Sequence, residues 1–171
     1  MQSEAFTPLG GTLTSQVFEN LHVRIPPTLF YAIEVPIRVI LSEKIGRPLF
    51  STDEPLTDVQ LEFIDLGLID WRLLPGREFV FPTNGEDGYV DGSVYLGATH
   101  HTATLVRLAF DALSKEVIEA NLHIDFDLTL LRPMPAGLTQ SFSVNWSLSL
   151  AVDPQALDIV MAEARQQCAG Q

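Results

Sequence analysis

The chain has 171 residues, of which 46% are apolar, and its formal net charge is −12. This length suits one domain with its own core, and the apolar content excludes an intrinsically disordered chain. The negative charge disfavours binding to nucleic acid or to anionic membranes. No apolar run reaches the roughly 18 residues of a membrane span, and the N-terminus lacks the pattern of a signal peptide. With a single cysteine, Cys168, we expect a cytoplasmic protein of bacterial type.

The N-terminal segment, residues 1–20, precedes the first predicted strand. A short helix is predicted there by three apolar residues at a spacing of four: Leu13, Val17 and Leu21. Residues 21–25 and 31–39 then alternate apolar and polar side chains, which is the period of a half-buried strand. Because Pro36 cannot donate a backbone hydrogen bond, we expect the second of these strands at a sheet edge or at a bulge.

The acidic residues concentrate in the segment 53–91. Ten acidic residues there stand against only two arginines, Arg72 and Arg77, so the segment has a net charge of −8. Such a field attracts a basic partner. The candidate binding residues are one aromatic side chain expected at the surface and three carboxylates: Trp71, Glu86, Asp87 and Asp91. The alternative is that the charge only keeps the protein soluble.

A hairpin is predicted from residues 93–113 to residues 121–131, because both segments alternate. Placing the apolar side chains of both strands on one side requires a turn of three or five residues. The other side is then a polar face with five candidate binding residues: His101, Arg107, His123, Asp125 and Asp127. In this register Arg107 lies beside His123 and Asp125, and His101 lies diagonal to Asp127.

The His-x-Asp-x-Asp sequence at 123–127 has the residue types of a metal site. Same-face neighbours on a strand are about 7 Å apart, however, whereas zinc ligands lie about 2 Å from the ion. We therefore predict no metal centre and no cofactor. The sequence contains no nucleophile elbow and no phosphate-binding glycine loop, so no catalytic residue is assigned. The polar face is either solvated sheet surface or a small-molecule-binding surface.

The C-terminal part predicts one more strand, at 142–152, and then a helix, at 153–168. Asp153 and Pro154 supply a capping carboxylate and a proline at the first helical position. The helix has an apolar stripe: Leu157, Val160, Met161, Ala164 and Cys168. The predicted fold is α+β and strand-rich, in a single domain that spans the whole chain. Its antiparallel meander, residues 21–152, is strongly curved or barrel-like, and the helix packs on it.

Two functions of different classes fit these patterns. The first is a non-enzymatic acidic domain that presents residues 53–91 to a basic protein, as an inhibitor, an antitoxin-like or immunity-like protein, or an assembly subunit does. The second is a small-molecule-binding β protein or enzyme that uses the polar face. Because no catalytic set is found, the sequence favours the first function, and it leaves the formation of a homo-oligomer open.

Overall fold

The computed structural model describes residues 5–18, 28–39, 56–83, 85–96, 99–132 and 139–170. These residues form nine strands: β1 (Phe6–Pro8), β2 (Gly11–Phe18), β3 (Thr28–Val39), β4 (Leu56–Ile64), β5 (Glu78–Val80), β6 (Asp91–Leu96), β7 (Thr99–Ser114), β8 (Val117–Asp127) and β9 (Ser141–Val152). A 3-10 helix spans Trp71–Leu73, and helix α1 spans Pro154–Ala169.

Seven of the strands close into a barrel. The order of hydrogen-bonded neighbours is β3, β2, β9, β8, β7, β6 and β4, and β4 pairs back with β3. The short strands β1 and β5 extend the sheet along β3 and β7. Among the described strands, all pairs are antiparallel except β2 with β9. The predicted strand-rich α+β fold with a barrel-like sheet is therefore confirmed, although the sheet is mixed and not purely antiparallel.

Alternating residues of the strands supply the side chains that fill the interior of the barrel. In β9 every second residue from Phe142 to Val152 is buried, and the residues between them are exposed. β8 alternates in the same way, and the register places Leu122 opposite Trp146. Because the sheet is closed, the inward rows of all seven strands meet one another, so the hydrophobic core lies inside the barrel.

The two ends of the barrel are closed by different parts of the chain. At one end Phe6 of β1 packs on Phe126 and Phe142, with ring centroids 5.0 and 5.5 Å apart. At the other end α1 follows β9 directly and buries Leu157 and Met161 in the core. The first and last elements of the described chain thus enclose the interior.

Helix α1 begins as the sequence predicts. The Asp153 carboxylate accepts a hydrogen bond from the Ala156 N–H (3.1 Å), and Pro154 is the first helical residue. The helix contacts β2, and it lies on the inward side of that strand because Thr12 and Thr14 on the outer side are exposed. In its predicted apolar stripe three residues are buried, one is half-buried and one is exposed: Leu157, Met161 and Ala164, then Val160, then Cys168.

The N-terminal segment forms strands, so the predicted short helix is wrong. Both β1 and β2 pair with β3. The apolar spacing of four that suggested a helix is also an even number, and it places Leu13 and Val17 on the same face of a strand. A spacing of four residues between apolar side chains therefore fits a strand as well as a helix.

Pro36 lies where the pairing of β3 changes partner. The ladder with β2 ends at Glu34, and the ladder with β1 begins at Ile37, one residue out of register. The Pro36 carbonyl accepts a hydrogen bond from Leu9 N–H (2.8 Å) at this break. The missing N–H of proline therefore interrupts no ladder, as expected for a proline at a bulge. The strand predicted at 21–25 lies outside the described residues.

The β7–β8 turn contains two residues, Lys115 and Glu116, so the predicted turn of three or five residues is wrong. Lys115 has φ +53°, the left-handed conformation that tight hairpins use. The apolar side chains of the two strands still share one side, because β7 has one extra residue between Phe110 and Leu113. A bulge thus replaces the odd-length turn.

A second bulge in β7, at Val106, changes which side chains face inward. Leu105 pairs with Ile124 and Arg107 pairs with His123, so Val106 has no partner on β8. On the N-terminal side of the bulge the buried, inward side chains are those of odd-numbered residues: His101, Ala103 and Leu105. The predicted register of this part of the hairpin is therefore wrong by one residue.

Gly92 of β6 lies where the backbones of neighbouring barrel strands come close together. A Cβ at this position would lie 2.6 Å from the carbonyl oxygen of Ala103 and 2.7 Å from that of Gln60. Because both are backbone atoms, we expect Gly92→Ala to lower the free energy of unfolding by about 1–3 kcal/mol in urea denaturation. Gly170→Ala, where the nearest atom would be 3.7 Å away, is the control. Equal midpoints for the two variants would contradict this packing.

Candidate functional site

The outer surface of the barrel has two faces with different chemistry. The first, called the polar face, is the outer side of β7, β8 and β9. The second, called the acidic face, is the outer side of β3, β4 and β6. The two faces lie on different parts of the barrel, because β2 separates β9 from β3 and β7 alone pairs with both β6 and β8.

The polar face contains the predicted contact of Arg107 with His123, which are paired across β7 and β8. The His123 ring lies between two oxygen atoms, with Nδ1 2.8 Å from Asn145 Oδ1 and Nε2 3.3 Å from Asp125 Oδ1. Arg107 donates two hydrogen bonds to the Glu78 carboxylate, at 2.7 and 2.9 Å. These hydrogen bonds lower the pKa of Glu78. The side chains of this face therefore bind one another.

The remaining carboxylates of the polar face also have partners. Ser143 donates to Asp125 (2.5 Å), Ser149 donates to Glu119 (2.8 Å), and the amide of Asn121 donates to Asp111. Asp127 accepts a hydrogen bond from the Thr129 N–H (2.9 Å). A polar sheet surface whose charges are paired in this way is stable without a ligand.

A groove of about 370 Å³ crosses the polar face between β5 and β9. Its lining includes two arginines, a histidine and two amides: Arg77, Arg107, His123, Asn121 and Asn145. The groove is open to solvent, and several of its polar groups already have partners. Arg107 donates to Glu78, Asn121 donates to Asp111, and Arg77 donates to the Leu73 carbonyl oxygen. It brings two of the predicted binding residues, Arg107 of β7 and His123 of β8, together with Asn145 of β9.

His101 does not belong to the polar face. The bulge at Val106 turns its side chain inward, where it is 2% exposed, and neither ring nitrogen has a hydrogen-bond partner among the described residues. Burial lowers the pKa of His101, the neighbouring His100 lowers it further, and Asp127 acts in the opposite direction. Thr104 lies opposite Asp125, where the predicted register placed Leu105. The predicted proximity of His101 and Asp127 on a solvent face is wrong.

Trp71 is not an exposed anchor, because α1 covers it. The side chain is 3% exposed, and its Nε1 donates a hydrogen bond to Asp158 Oδ1 (3.1 Å). The guanidinium of Arg72 lies 4.4 Å from the Trp71 ring centroid and donates two hydrogen bonds to Asp158 (2.7 Å each). The hydrogen bonds from Arg72 and Trp71 lower the pKa of Asp158 to about 2. Trp71 therefore fastens the helix to the barrel.

The other three candidates of the acidic segment, Glu86, Asp87 and Asp91, are exposed. Several acids of the segment are engaged within the molecule. Asp70 pairs with Arg72 and Arg165, Glu78 pairs with Arg107, and Asp65 accepts a hydrogen bond from the Gly67 N–H. The acids at 53 and 54 lie outside the described residues. Part of the negative charge of the segment is thus paired within the described residues.

The acidic face gathers four exposed carboxylates from three neighbouring strands: Glu34, Asp58, Glu62 and Asp91. Glu34 lies opposite Gln60, and Gln60 lies opposite Ser93, which places Gln60 at the centre of the face. None of the four carboxylates has a hydrogen bond or ion pair with any other described residue. Arg38 is the sole described cation on the outer side of these strands. Among the described residues, this face therefore has an excess of negative charge, and its four carboxylates form no ion pair.

Three phenylalanine rings adjoin the acidic face and form an aromatic cluster: Phe18, Phe30 and Phe63. Their centroids are 5.7–6.2 Å apart, and all three pairs meet edge to face. Phe18 and Phe63 are 47% and 50% exposed. The cluster lies where β2, β3 and β4 are neighbours, and Glu62 precedes Phe63 in the chain.

Phe63 reaches this cluster through an unusual backbone. Two residues of β4, Glu62 and Phe63, oppose one residue of β3, and Phe63 has φ +57°. The left-handed conformation costs a residue with a Cβ about 1–2 kcal/mol. Sequence reasoning missed the cluster, because Phe63 has the same parity as the inward Leu61. Phe30 does have a recognisable sequence signal, because an apolar side chain between the inward Leu29 and Tyr31 must point outward.

A scan against protein-family models finds no match for this chain, and searches of curated proteins and of solved structures find none either. Within the described ranges, no three His, Cys, Asp or Glu side chains are grouped so that they could hold a metal ion. No helix in this part of the chain is long and apolar enough to cross a membrane. The assignment of function therefore depends on the two outer faces.

The buried His101 makes stability depend on pH. Its pKa in the folded protein is below the ordinary 6.5, so protons bind the unfolded chain better, and stability is lost as the pH falls below about 6.5. His101→Leu removes two unpartnered buried nitrogens, so we expect it to raise the free energy of unfolding by about 1–3 kcal/mol at pH 5.5 and to reduce its pH dependence. The measurement is urea denaturation between pH 5 and 8.

His100→Gln is the comparison variant for this prediction, because the His100 side chain is exposed and contributes less than burial does to the lowered pKa of His101. We expect this variant to keep most of the loss of stability at low pH. A His101→Leu variant with the same pH dependence as the unmodified protein would show that His101 does not titrate as its burial requires.

Proposed function

We propose that the protein is a non-enzymatic, acidic protein-binding domain that presents its acidic face to a basic partner. Proteins of this type act as inhibitors, as antitoxin-like or immunity-like neutralisers, or as assembly subunits. The face includes Asp58, Glu62 and Asp91 of the acidic segment together with Glu34 of β3. Glu86 and Asp87 extend the negative charge along the loop that leads into β6.

The observation that supports this proposal is the contrast between the two faces. Five carboxylates on the polar face or on the neighbouring β5 accept hydrogen bonds from nearby groups: Glu78, Asp111, Glu119, Asp125 and Asp127. On the acidic face the carboxylates have no described partner. Like charges on one surface repel one another, so a cluster of this kind destabilises the free protein and is relieved when cations dock on it.

The same electrostatics define how the partner should bind. Exposed charges steer a basic protein toward the face and increase the association rate more than they increase the final affinity. Salt screens such charges beyond about 10 Å at 0.1 M ionic strength. A complex held by the acidic face should therefore form rapidly in dilute buffer and weaken steeply as salt is added.

A second candidate function uses the groove of the polar face. Its two arginines and the His123 ring, with nearby amide groups, suit a small polar ligand that carries an acidic group. This candidate predicts that Asn145→Trp, which fills the groove from β9, abolishes function, whereas reversal of charge on the acidic face does not. The proposal for the acidic face predicts the opposite pattern.

Site-specific photo-crosslinking tests the proposed function. A photoreactive residue at Gln60, in the centre of the acidic face, should crosslink a basic protein in cells, whereas one at Ser147 on the polar face should not. Combining the Gln60 crosslinker with Glu62→Lys and Asp91→Lys should reduce the yield at least about tenfold, because cations would then face the cationic partner. The yield is measured by mass spectrometry of the crosslinked product.

The control reverses the same number of charges elsewhere, with Glu116→Lys in the β7–β8 turn and Glu163→Lys on α1. Both side chains are exposed, and neither lies on the acidic face. We expect this control pair to retain the crosslink from Gln60. Equal loss in both double variants would show that net charge alone matters, and crosslinking from Ser147 alone would favour the groove.

A further inference from the structure

We infer that the aromatic cluster of Phe18, Phe30 and Phe63 is the apolar anchor point of the acidic face, and that the partner docks a basic segment with an apolar side chain seated among the three rings. This inference rests on the proposed function and specifies its partner. Charge alone would accept any polycation, whereas the rings require a segment in which cationic and apolar side chains lie on one side.

The rings are arranged as an open surface feature. They meet edge to face with centroids 5.7–6.2 Å apart, yet Phe18 and Phe63 remain about half exposed. The core of the barrel is already filled by other aromatic side chains, such as Phe126 and Trp146, whose centroids are 5.9 Å apart. The cluster therefore adds an exposed aromatic patch of the kind that anchors protein interfaces.

The backbone at Phe63 indicates that the position of its ring matters. Glycine is the residue that a left-handed conformation favours, and the chain has phenylalanine there instead, at φ +57°. The bulge it occupies turns the ring outward, beside Glu62, rather than inward with Leu61. The strained conformation thus places an aromatic ring and a carboxylate side by side on the surface.

Charge selects the occupant of the cluster. A second copy of the chain would bring another acidic face against this one, with Glu62 near Glu62, and the two faces would repel each other. An acidic or neutral apolar segment gains nothing from the carboxylates that flank the rings. A basic segment pairs with Glu62 and Glu34 while its apolar side chain covers Phe63 and Phe18, so both features of the face are satisfied together.

Two synthetic peptides test the inference by fluorescence anisotropy in low salt. They have the same length and the same number of lysines, and the residues between the lysines are serine in one and leucine in the other. We expect the unmodified protein to bind the lysine–leucine peptide about tenfold more tightly or better, because leucine can be buried on the rings. Phe63→Gly should lose this advantage and keep its affinity for the lysine–serine peptide.

Phe63→Gly separates docking from folding, because glycine is relaxed in the left-handed conformation and its urea midpoint should stay close to that of the unmodified protein. Phe18→Ser removes a second ring from an ordinary strand position and should have the same effect on binding. Val80→Ser, which removes a 71% exposed apolar side chain on β5, is the control and should leave both affinities unchanged.

The outcomes distinguish the two proposals. Failure of both peptides to bind at low salt would overturn the proposed function together with this inference. Equal affinity for the two peptides, unaffected by Phe63→Gly and Phe18→Ser but reduced by Glu62→Lys with Asp91→Lys, would overturn the inference alone. Loss of leucine-dependent binding in Val80→Ser as well would show that the leucines bind apolar surface nonspecifically, which also overturns it.

Discussion

The structure depends on one constraint: every strand of the closed barrel must keep its apolar side chains in the inward phase. A shift of one residue in the pairing of a strand would turn all its apolar side chains outward. In a closed barrel every strand has two neighbours, so no strand can shift without changing its pairing with both. The chain meets this constraint with bulges. One lies at the junction of β1 and β2, one in β4 at residues 62–63, and two in β7. Each inserts a residue and then restores the phase.

The bulges also determine where the unusual residues lie. The bulge in β4 turns Phe63 outward and creates the aromatic cluster. The bulge at Val106 turns His101 inward, so an ionisable ring occupies the core without a described partner. On and beside the polar face the outer side chains bind one another, as Arg107 does with Glu78. Two of the four bulges therefore carry a local cost in stability, and the one in β4 adjoins the acidic face.

Much of the fold could be predicted from the alternation of residues, and the errors come from features that local alternation does not show. The strands β8 and β9, the start of α1 at Asp153 and the pairing of Arg107 with His123 all follow from period and capping rules. The positions that failed lie beyond a bulge, as His101 does, or in a segment whose spacing fits both helix and strand, as Leu13 does. Trp71 failed for another reason, because its burial depends on a helix more than 80 residues away. The local alternation of apolar and polar residues does not show where a bulge occurs or which distant element covers a side chain.

The parallel pairing of β2 with β9 has a consequence for how the protein acquires its structure. Gly11 lies opposite Leu150, so β2 has to wait for a strand that follows it much later in the chain before the barrel can close. Until then β2 has only β3 beside it, and its other edge is unsatisfied. A topology with so many contacts between distant parts of the chain folds slowly. Closure of the barrel by pairing of β2 with β9 is therefore a late step in folding. Before that step the open sheet has unpaired edges and is the form most prone to aggregation.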